Sequence, residues 1–195
     1  MKRNGNKLIS QPIKGTAKRF EDENEDLKSK NNLKNNAKEL SENIMIVDLV
    51  RNDLSITAEK GSVSVDELCE VYTFNQVHQM ISTIVSEVKH GTSASEILKT
   101  TFPMGSMTGA PKFSALQLIE KQEDFRRGVY SGSVGYFEPN GNFDFNVIIR
   151  SLLYNSTQRY LSYSAGSALT AQANPEQEYE ECLLKAKIIH QIFKT

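Results

Sequence analysis

The sequence predicts an α+β fold, and three observations carry that expectation. β-branched and other apolar residues recur at period two through residues 61–91, the spacing of half-buried strands. Asn140-Gly141 sits between two further strand-like runs, and Asn-Gly is the strongest short hairpin signal. The closing stretch begins Asn174-Pro175 and continues at helical spacing, with Asn as cap and Pro as first helical residue. Helices mixed with antiparallel hairpins make an α+β arrangement.

The elements follow in order. Residues 7–13 alternate and read as a short strand, ending at Lys14 beside Gly15-Thr16. Residues 20–36 are charged and Asn-rich, too poor in apolar groups to anchor to a core, so a mobile loop or frayed helix is expected. "AKELSENIMIVDLVRNDLS" is a helix whose centre, residues 44–50, is apolar almost all round, so most of its sides should be buried. Strands follow over residues 61–91, then a short helix in "SASEILKTTF", a Gly-rich loop in "PMGSMTGAPK", and a helix after it with Pro111 in its first turn. "GVYSGSVGYFE", "NFDFNVIIRSLLY" and "RYLSYSAG" are three strand candidates. The last helix carries an apolar stripe of Tyr179, Cys182, Leu183, Ala186, Ile189 and Phe193.

Composition narrows the function. The 195 residues hold 23 Lys+Arg and 24 Asp+Glu. A chain this balanced lacks the basic excess of nucleic-acid and membrane-surface binders. Two cysteines, Cys69 and Cys182, in apolar surroundings read as free thiols rather than a disulfide framework or metal cluster. No apolar run reaches the roughly 20 residues of a membrane span, and the first ten residues lack the apolar segment of a signal peptide. A soluble, cytoplasmic protein is expected. The chain enters a strand at once, as a fragment lacking an earlier part would.

Several residues stand out. Glu42 shares a helix face with Met45, Ile46 and Leu49. A carboxylate there must be paired, protonated or on a metal, unless it is a partly exposed first-turn glutamate favoured by the helix dipole. Asp48 has Arg51 within reach for a local ion pair. Glu178 and Glu181 are three apart on the last helix, with Lys185 a turn beyond. They could hold a hard cation through oxygen, or form a solvated acidic turn with a Glu181–Lys185 pair. "GSMTGAPK" lacks the spacing of a phosphate loop, yet a Gly-rich turn opening a helix can offer N–H groups to an anion. Arg150 ends an apolar strand run and could fork onto a carboxylate, whether a ligand's or a structural one. Tyr130 could donate to a ligand or simply pack, and Gly166 in "SAGSA" admits close backbone approach.

The ordered motifs "PIKGT", "SENIMIVDLVRNDL", "FPMGSMTGAPK", "RGVYSGSVGYF…NGNFDFNVIIRSL" and "SAGSA…NPEQEYEECLLKA" together resemble the C-terminal half of the chorismate-utilising enzymes. That family includes anthranilate, isochorismate, salicylate and aminodeoxychorismate synthases. The resemblance implies an αββα-type sandwich of antiparallel sheets flanked by helices, of which residues 1–195 are the C-terminal portion without the N-terminal half. It implies magnesium held by Glu42 and Glu181, with Glu178 as a direct or water-bridged helper. It implies that Tyr130, Arg150, Gly166 and Lys185 bind the carboxylates of chorismate, and that Gly15, Thr16, Thr108 and Gly109 line the site.

Lys14 stands where anthranilate and isochorismate synthases usually carry Ala, and a lysine there is similar to the aminodeoxychorismate synthases, component I. The resemblance implies that its uncharged amine adds at ring position two as the hydroxyl leaves position four. Ammonia from a glutamine amidotransferase partner then enters at position four and expels the lysine, on the way to p-aminobenzoate and folate. The alternatives are anthranilate synthase component I or an isochorismate- or salicylate-type synthase. A non-catalytic chorismate-binding fragment is a third, since the family's general-acid glutamate belongs upstream of "KRNGNKLISQPIKGT". Two further departures are Gly166-Ser167-Ala168 in place of Gly-x-Gly, and Gln172 where an Asp is common.

Overall fold

The computed structural model describes residues 1–171 and 173–192. Gln172 and Phe193 lie outside them. The chain divides into two compact units, Met1–Asp124 with Gly135–Asn146, and Phe125–Val134 with the described residues from Val147 on.

The first unit is an antiparallel sheet carrying helices. Its strands are β1 (Lys2–Asn4), β2 (Lys7–Ser10), β3 (Ile13–Lys18), β4 (Ser64–Thr73), β5 (Val77–Glu87) and the greater part of β6 (Ser133–Phe137) and β7 (Phe143–Val147). The order is β3-β5-β2-β1-β7-β6, with β4 along the other edge of β5. β5 is thus the central strand. Of its even-numbered residues, His78, Met80, Ser82, Ile84 and Ser86 are all buried, as one face of a period-two strand must be. The long helix α2 (Ala37–Thr57) contributes Val47 and Leu54 to a core with Leu8, Ile84, Val88, Ile97 and Phe143. Each such side chain stabilises by about 2 kcal/mol on burial. Ile97 comes from α3 (Ala94–Thr101), as the sequence predicts for a short helix here. Phe137, Phe143 and Phe145 stack edge to face at 5.2–5.9 Å between centroids.

Residues 20–36 differ from expectation: α1, an α-helix over Glu23–Lys34, stands where composition suggests a loop. Asp22 caps it, accepting from the Glu25 N–H at 2.9 Å, and Glu23, Glu25 and Asp26 sit at its positive end. Leu33 is its one buried residue. Polar contacts supply the rest. Arg19 Nε donates to both Asp26 oxygens at 2.8 and 2.9 Å, and the buried His78 places Nε2 3.0 Å from Oδ1.

Hydrogen bonding from Arg19, then from the Phe20 N–H and His78, lowers the Asp26 carboxyl from its ordinary 3.8 to about 2. A depressed acid stabilises the fold fully above its unfolded value of about 4 and loses that contribution as pH falls toward 2. Urea midpoints should therefore fall more steeply between pH 4 and 2 in the wild type than in Asp26→Asn. Parallel curves would show that Asp26 does not link α1 to pH.

The strand expected over residues 7–14 breaks at Gln11-Pro12, and Lys14 is the second residue of β3 rather than the end of β2. α4 (Lys112–Gln122) has Pro111 as its N-cap instead of a first-turn residue. Before it, a single 3-10 turn, Gly105–Met107, lies against α2 so closely that a Cβ on Gly105 would sit 2.9 Å from Leu49 Cβ.

The second unit contains a hairpin of β8 (Leu152–Asn155) and β9 (Tyr160–Tyr163), and helix α5 (Pro175–Ile192). Asn174 caps α5 as expected, its Oδ1 accepting from Gln177 N–H at 3.0 Å. Three expectations are corrected here. The run 142–154 falls in two strands, not one, and Arg150 lies in the break, exposed and with φ at 50°. Tyr130 lies in a turn instead of a strand. On α5, Tyr179 and Leu183 of the apolar stripe are exposed while Glu178 is buried, because a hydroxyl meets its carboxylate.

Candidate active site

In the first unit Lys14, Gly15 and Thr16 lie on β3, and Glu42 reaches Lys14 from α2. Its pairing with β5 steps from Ile13↔Ile81 to Thr16↔Gln79, so Lys14 and Gly15 together face one residue, Met80. This is a bulge, which re-aims a side chain. Gly15 turns the chain at φ 96°, where a Cβ would also meet Glu39, Leu33 and Met80 atoms at 3.2 Å. Any other residue there is strained by both the dihedral and the space. The bulge directs Lys14 to α2, where Nζ donates to Glu42 Oε2 at 3.0 Å. Lys38, one turn earlier on α2, stands 3.9 Å from the other oxygen. Glu42 is therefore paired, the first of the three conditions its burial demands. The Lys14 side chain keeps 23% of its surface exposed, against 9% for Glu42, so the amine is the reachable member.

Thr16 is exposed on the same strand. In the Gly-rich loop the Thr108 hydroxyl donates to the Met104 carbonyl at 3.1 Å, and Gly109 adopts φ 154°. Lys112, at the end of that loop, donates to both oxygens of Asp53 on α2 at 2.6 Å. Burial pushes the Asp53 carboxyl upward and Lys112 draws it back. This pair escapes the sequence reading, and its signal is "RNDL", a carboxylate set in a helix apolar on most sides. Asp48 and Arg51 pair at 2.9 Å as expected.

The second unit brings together another group. The Ser167 hydroxyl lies against the Glu178 carboxylate in a very short contact and 2.9 Å from Glu181 Oε2. Lys185 Nζ binds the other Glu181 oxygen at 2.7 Å and the Gly166 carbonyl at 2.8 Å. The Tyr163 hydroxyl donates to the Lys185 carbonyl at 3.0 Å. A Cβ on Gly166 would stand 2.8 Å from the Tyr130 hydroxyl, so a side chain there would displace that hydroxyl. Tyr130, Gly166, Glu178, Glu181 and Lys185 are thus neighbours in space, a set drawn from both the substrate-binding and the metal-binding expectations. Arg150 is exposed. Ser167 escapes that reading, although it directly follows the glycine singled out.

A hydroxyl has one proton, and here two carboxylates share it. Two oxygen-only donors converging on one point suit a hard divalent cation, which can complete its shell with water or substrate oxygens. Among the described residues no cluster of three or more His, Cys, Asp or Glu side chains forms. Glu42 belongs to the first unit, and Glu178 and Glu181 to the second.

The chorismate binding enzyme family matches residues 1–191. The chain belongs to that family. It is 44% identical over 185 residues to the chloroplastic aminodeoxychorismate synthase of Arabidopsis thaliana, covering 95% of this chain and 20% of that protein. It is 40% identical over 183 residues to anthranilate synthase component 1 of Aquifex aeolicus, covering 94% of this chain and 37% of the relative. Among solved structures, anthranilate synthase component I of Streptococcus pneumoniae superposes with a TM-score of 0.79 at 29% identity, over 95% of this chain and 40% of that one. The mixed helices and antiparallel sheet of the chain agree with the α+β expectation. The chain spans between a fifth and two fifths of these proteins' lengths. No described helix is long and apolar enough to cross a membrane.

Proposed function

We propose that the chain is the lysine-bearing portion of an aminodeoxychorismate synthase component I. It would aminate chorismate at ring position four with ammonia from a glutamine amidotransferase partner. Lys14 carries this reading: it stands in a bulge, partly exposed, 3.0 Å from Glu42. A solvated surface lysine needs neither the bulge nor the strained glycine beside it. In the proposed reaction the Lys14 nitrogen bonds to ring carbon two, both ring double bonds shift one place round the ring, and the hydroxyl leaves carbon four as water with a proton from the general-acid glutamate that belongs upstream. Ammonia then bonds at carbon four, both double bonds shift back and the lysine departs, so the amine is regenerated. Glu42 holds the amine and can take up the proton it releases on bonding.

In the same reading Glu181, with Glu178 beside it, would hold magnesium, which would supply positive charge for a substrate carboxylate, while the Glu42 expected among its ligands is paired with Lys14 instead. Tyr130 offers a phenol O–H, and Lys185 a cation, to the substrate's anionic groups.

Anthranilate synthase is the second reading, favoured by the 40% identity to the Aquifex protein. The two separate by product. The full-length protein, given chorismate, ammonia and magnesium, should yield p-aminobenzoate only after an aminodeoxychorismate lyase is added. Anthranilate fluorescence without lyase would overturn the first reading. Chorismate binding without either product would support a non-catalytic module.

A further inference from the structure

The Lys14 bulge is held open from beneath by a single buried amide. Asn43, on α2 next to Glu42, is fully buried. Its Nδ2 donates to the Lys14 carbonyl at 3.3 Å and to the Met80 carbonyl at 3.4 Å. Those carbonyls sit on the two sides of the bulge. Asn43 Oδ1 in turn accepts from the Ser82 hydroxyl at 2.5 Å, and Ser82 Oγ accepts from the Cys69 N–H at 2.9 Å. Ser82 is also fully buried. Cys69 lies in a second bulge: β4 pairing steps from Glu67↔Thr83 to Glu70↔Ile81, leaving two residues opposite Ser82, and Cys69 has φ 55°. One donor-to-acceptor chain therefore runs from the bulge in β4, across β5, to the bulge in β3. Both N–H bonds and the oxygen of the Asn43 amide are used.

We infer that Asn43, anchored by Ser82, is a positioning residue that sets the direction of Lys14; this rests on the reading of Lys14 as the nucleophile. The physical reason is register. A bulge shifts the side-chain alternation of a strand by one residue, and closing it turns the affected side chains to the opposite face. In the bulge the part-buried Lys14 carbonyl accepts from the Asn43 amide, and a carbonyl out of water without a donor is costly. The Asn43 amide meets that need and so favours the bulged register, in which Lys14 reaches Glu42. A residue serving only to fill the core would have no reason to bind these two carbonyls.

The test uses the full-length enzyme with Asn43→Asp, Ser82→Ala and Lys14→Arg measured side by side. The carboxylate of Asn43→Asp can still accept from Ser82 but donates nothing to the Lys14 carbonyl. The kcat of that variant should fall about a hundredfold, the effect of displacing a reacting group by about 1 Å, while KM for chorismate stays within about twofold. Ser82→Ala leaves the amide in place without its anchor and should lower kcat about tenfold, again without a KM change. It decides the matter if Asn43→Asp does not fold. Unchanged kcat in a folded variant, with Lys14→Arg inactive, would overturn the positioning role and leave the nucleophile standing. Full turnover by Lys14→Arg would remove the nucleophile, and this inference with it.

Discussion

Replacing Lys14 with arginine should leave the fold intact and reduce aminodeoxychorismate formation at least about a thousandfold, equivalent to about 4 kcal/mol of barrier. Arginine is the sharper substitution because it separates two jobs that alanine would remove together. The first is electrostatic. Glu42 is buried, and Lys14 is its nearer cation at 3.0 Å, with Lys38 at 3.9 Å. Losing that charge leaves a buried carboxylate poorly matched, a destabilisation of about 1–3 kcal/mol. The second job is nucleophilic, and a guanidinium does not lose its proton under any working condition. Arginine keeps the charge and deletes the nucleophile. If Lys14 were only a counter-ion to Glu42, Lys14→Arg would turn over normally while Lys14→Ala would lower the melting temperature. If it is the nucleophile, both variants are inactive and only Lys14→Ala is destabilised. The readouts are lyase-coupled p-aminobenzoate formation and thermal melting on the same samples.

The sequence is readable where a pattern is local. The cap and first residue of α5 are Asn174 and Pro175, adjacent in the chain, whereas the apolar centre of α2, expected to be buried on most sides, buries Ile46 and Val47 but leaves Ile44 exposed. Helix α1 is not readable in this way. Leu33 is its only buried residue, and His78, which meets Asp26, lies 52 positions away. Composition alone counts such residues as solvated charge, because the network that orders them is assembled by β3 and β5. The break at Arg150 is hidden for the opposite reason. Val147, Ile148 and Ile149 carry strong strand propensity, yet the chain leaves the sheet after Val147. Propensity reports how residues fit a pleated surface, not where a sheet ends.

The site divides in the same way. Glu42 is conspicuous as a carboxylate in an apolar helix, and Lys14 as a lysine beside a turn-forming glycine. That they meet depends on the two-for-one step opposite Met80, which no local pattern encodes. Asn43 and Ser82 attract no notice in the sequence because a buried amide and hydroxyl look ordinary until their partners are known. Tyr130, Gly166 and Lys185 are grouped by family pattern. The Tyr130 hydroxyl lies so close to Gly166 that any side chain there would push it aside, an effect through space rather than through backbone angle.

Replacing Glu178 with glutamine should abolish most of the response to magnesium while changing the metal-free protein little. Glu178 is 4% exposed, and its carboxylate and that of Glu181 both face the Ser167 hydroxyl. Glutamine has nearly the same size and can still accept the single Ser167 proton, so the metal-free fold should lose less than about 1 kcal/mol. Charge is what it removes, and a hard divalent ion is held mainly by charged oxygen. An ion bound to the native state alone at about a hundred times its dissociation constant stabilises by about 2.7 kcal/mol. For a chain of this length that is a rise in melting temperature of about 5–10 °C. The wild-type protein should show that rise with added magnesium and Glu178→Gln should show little of it. Ser167→Ala supplies the contrast. It leaves two carboxylates facing each other with no shared proton, so the metal-free protein weakens and the magnesium-induced rise persists or grows. A magnesium shift in Glu178→Gln equal to that of the wild type would exclude Glu178 from the ion's ligands, whatever happens to activity.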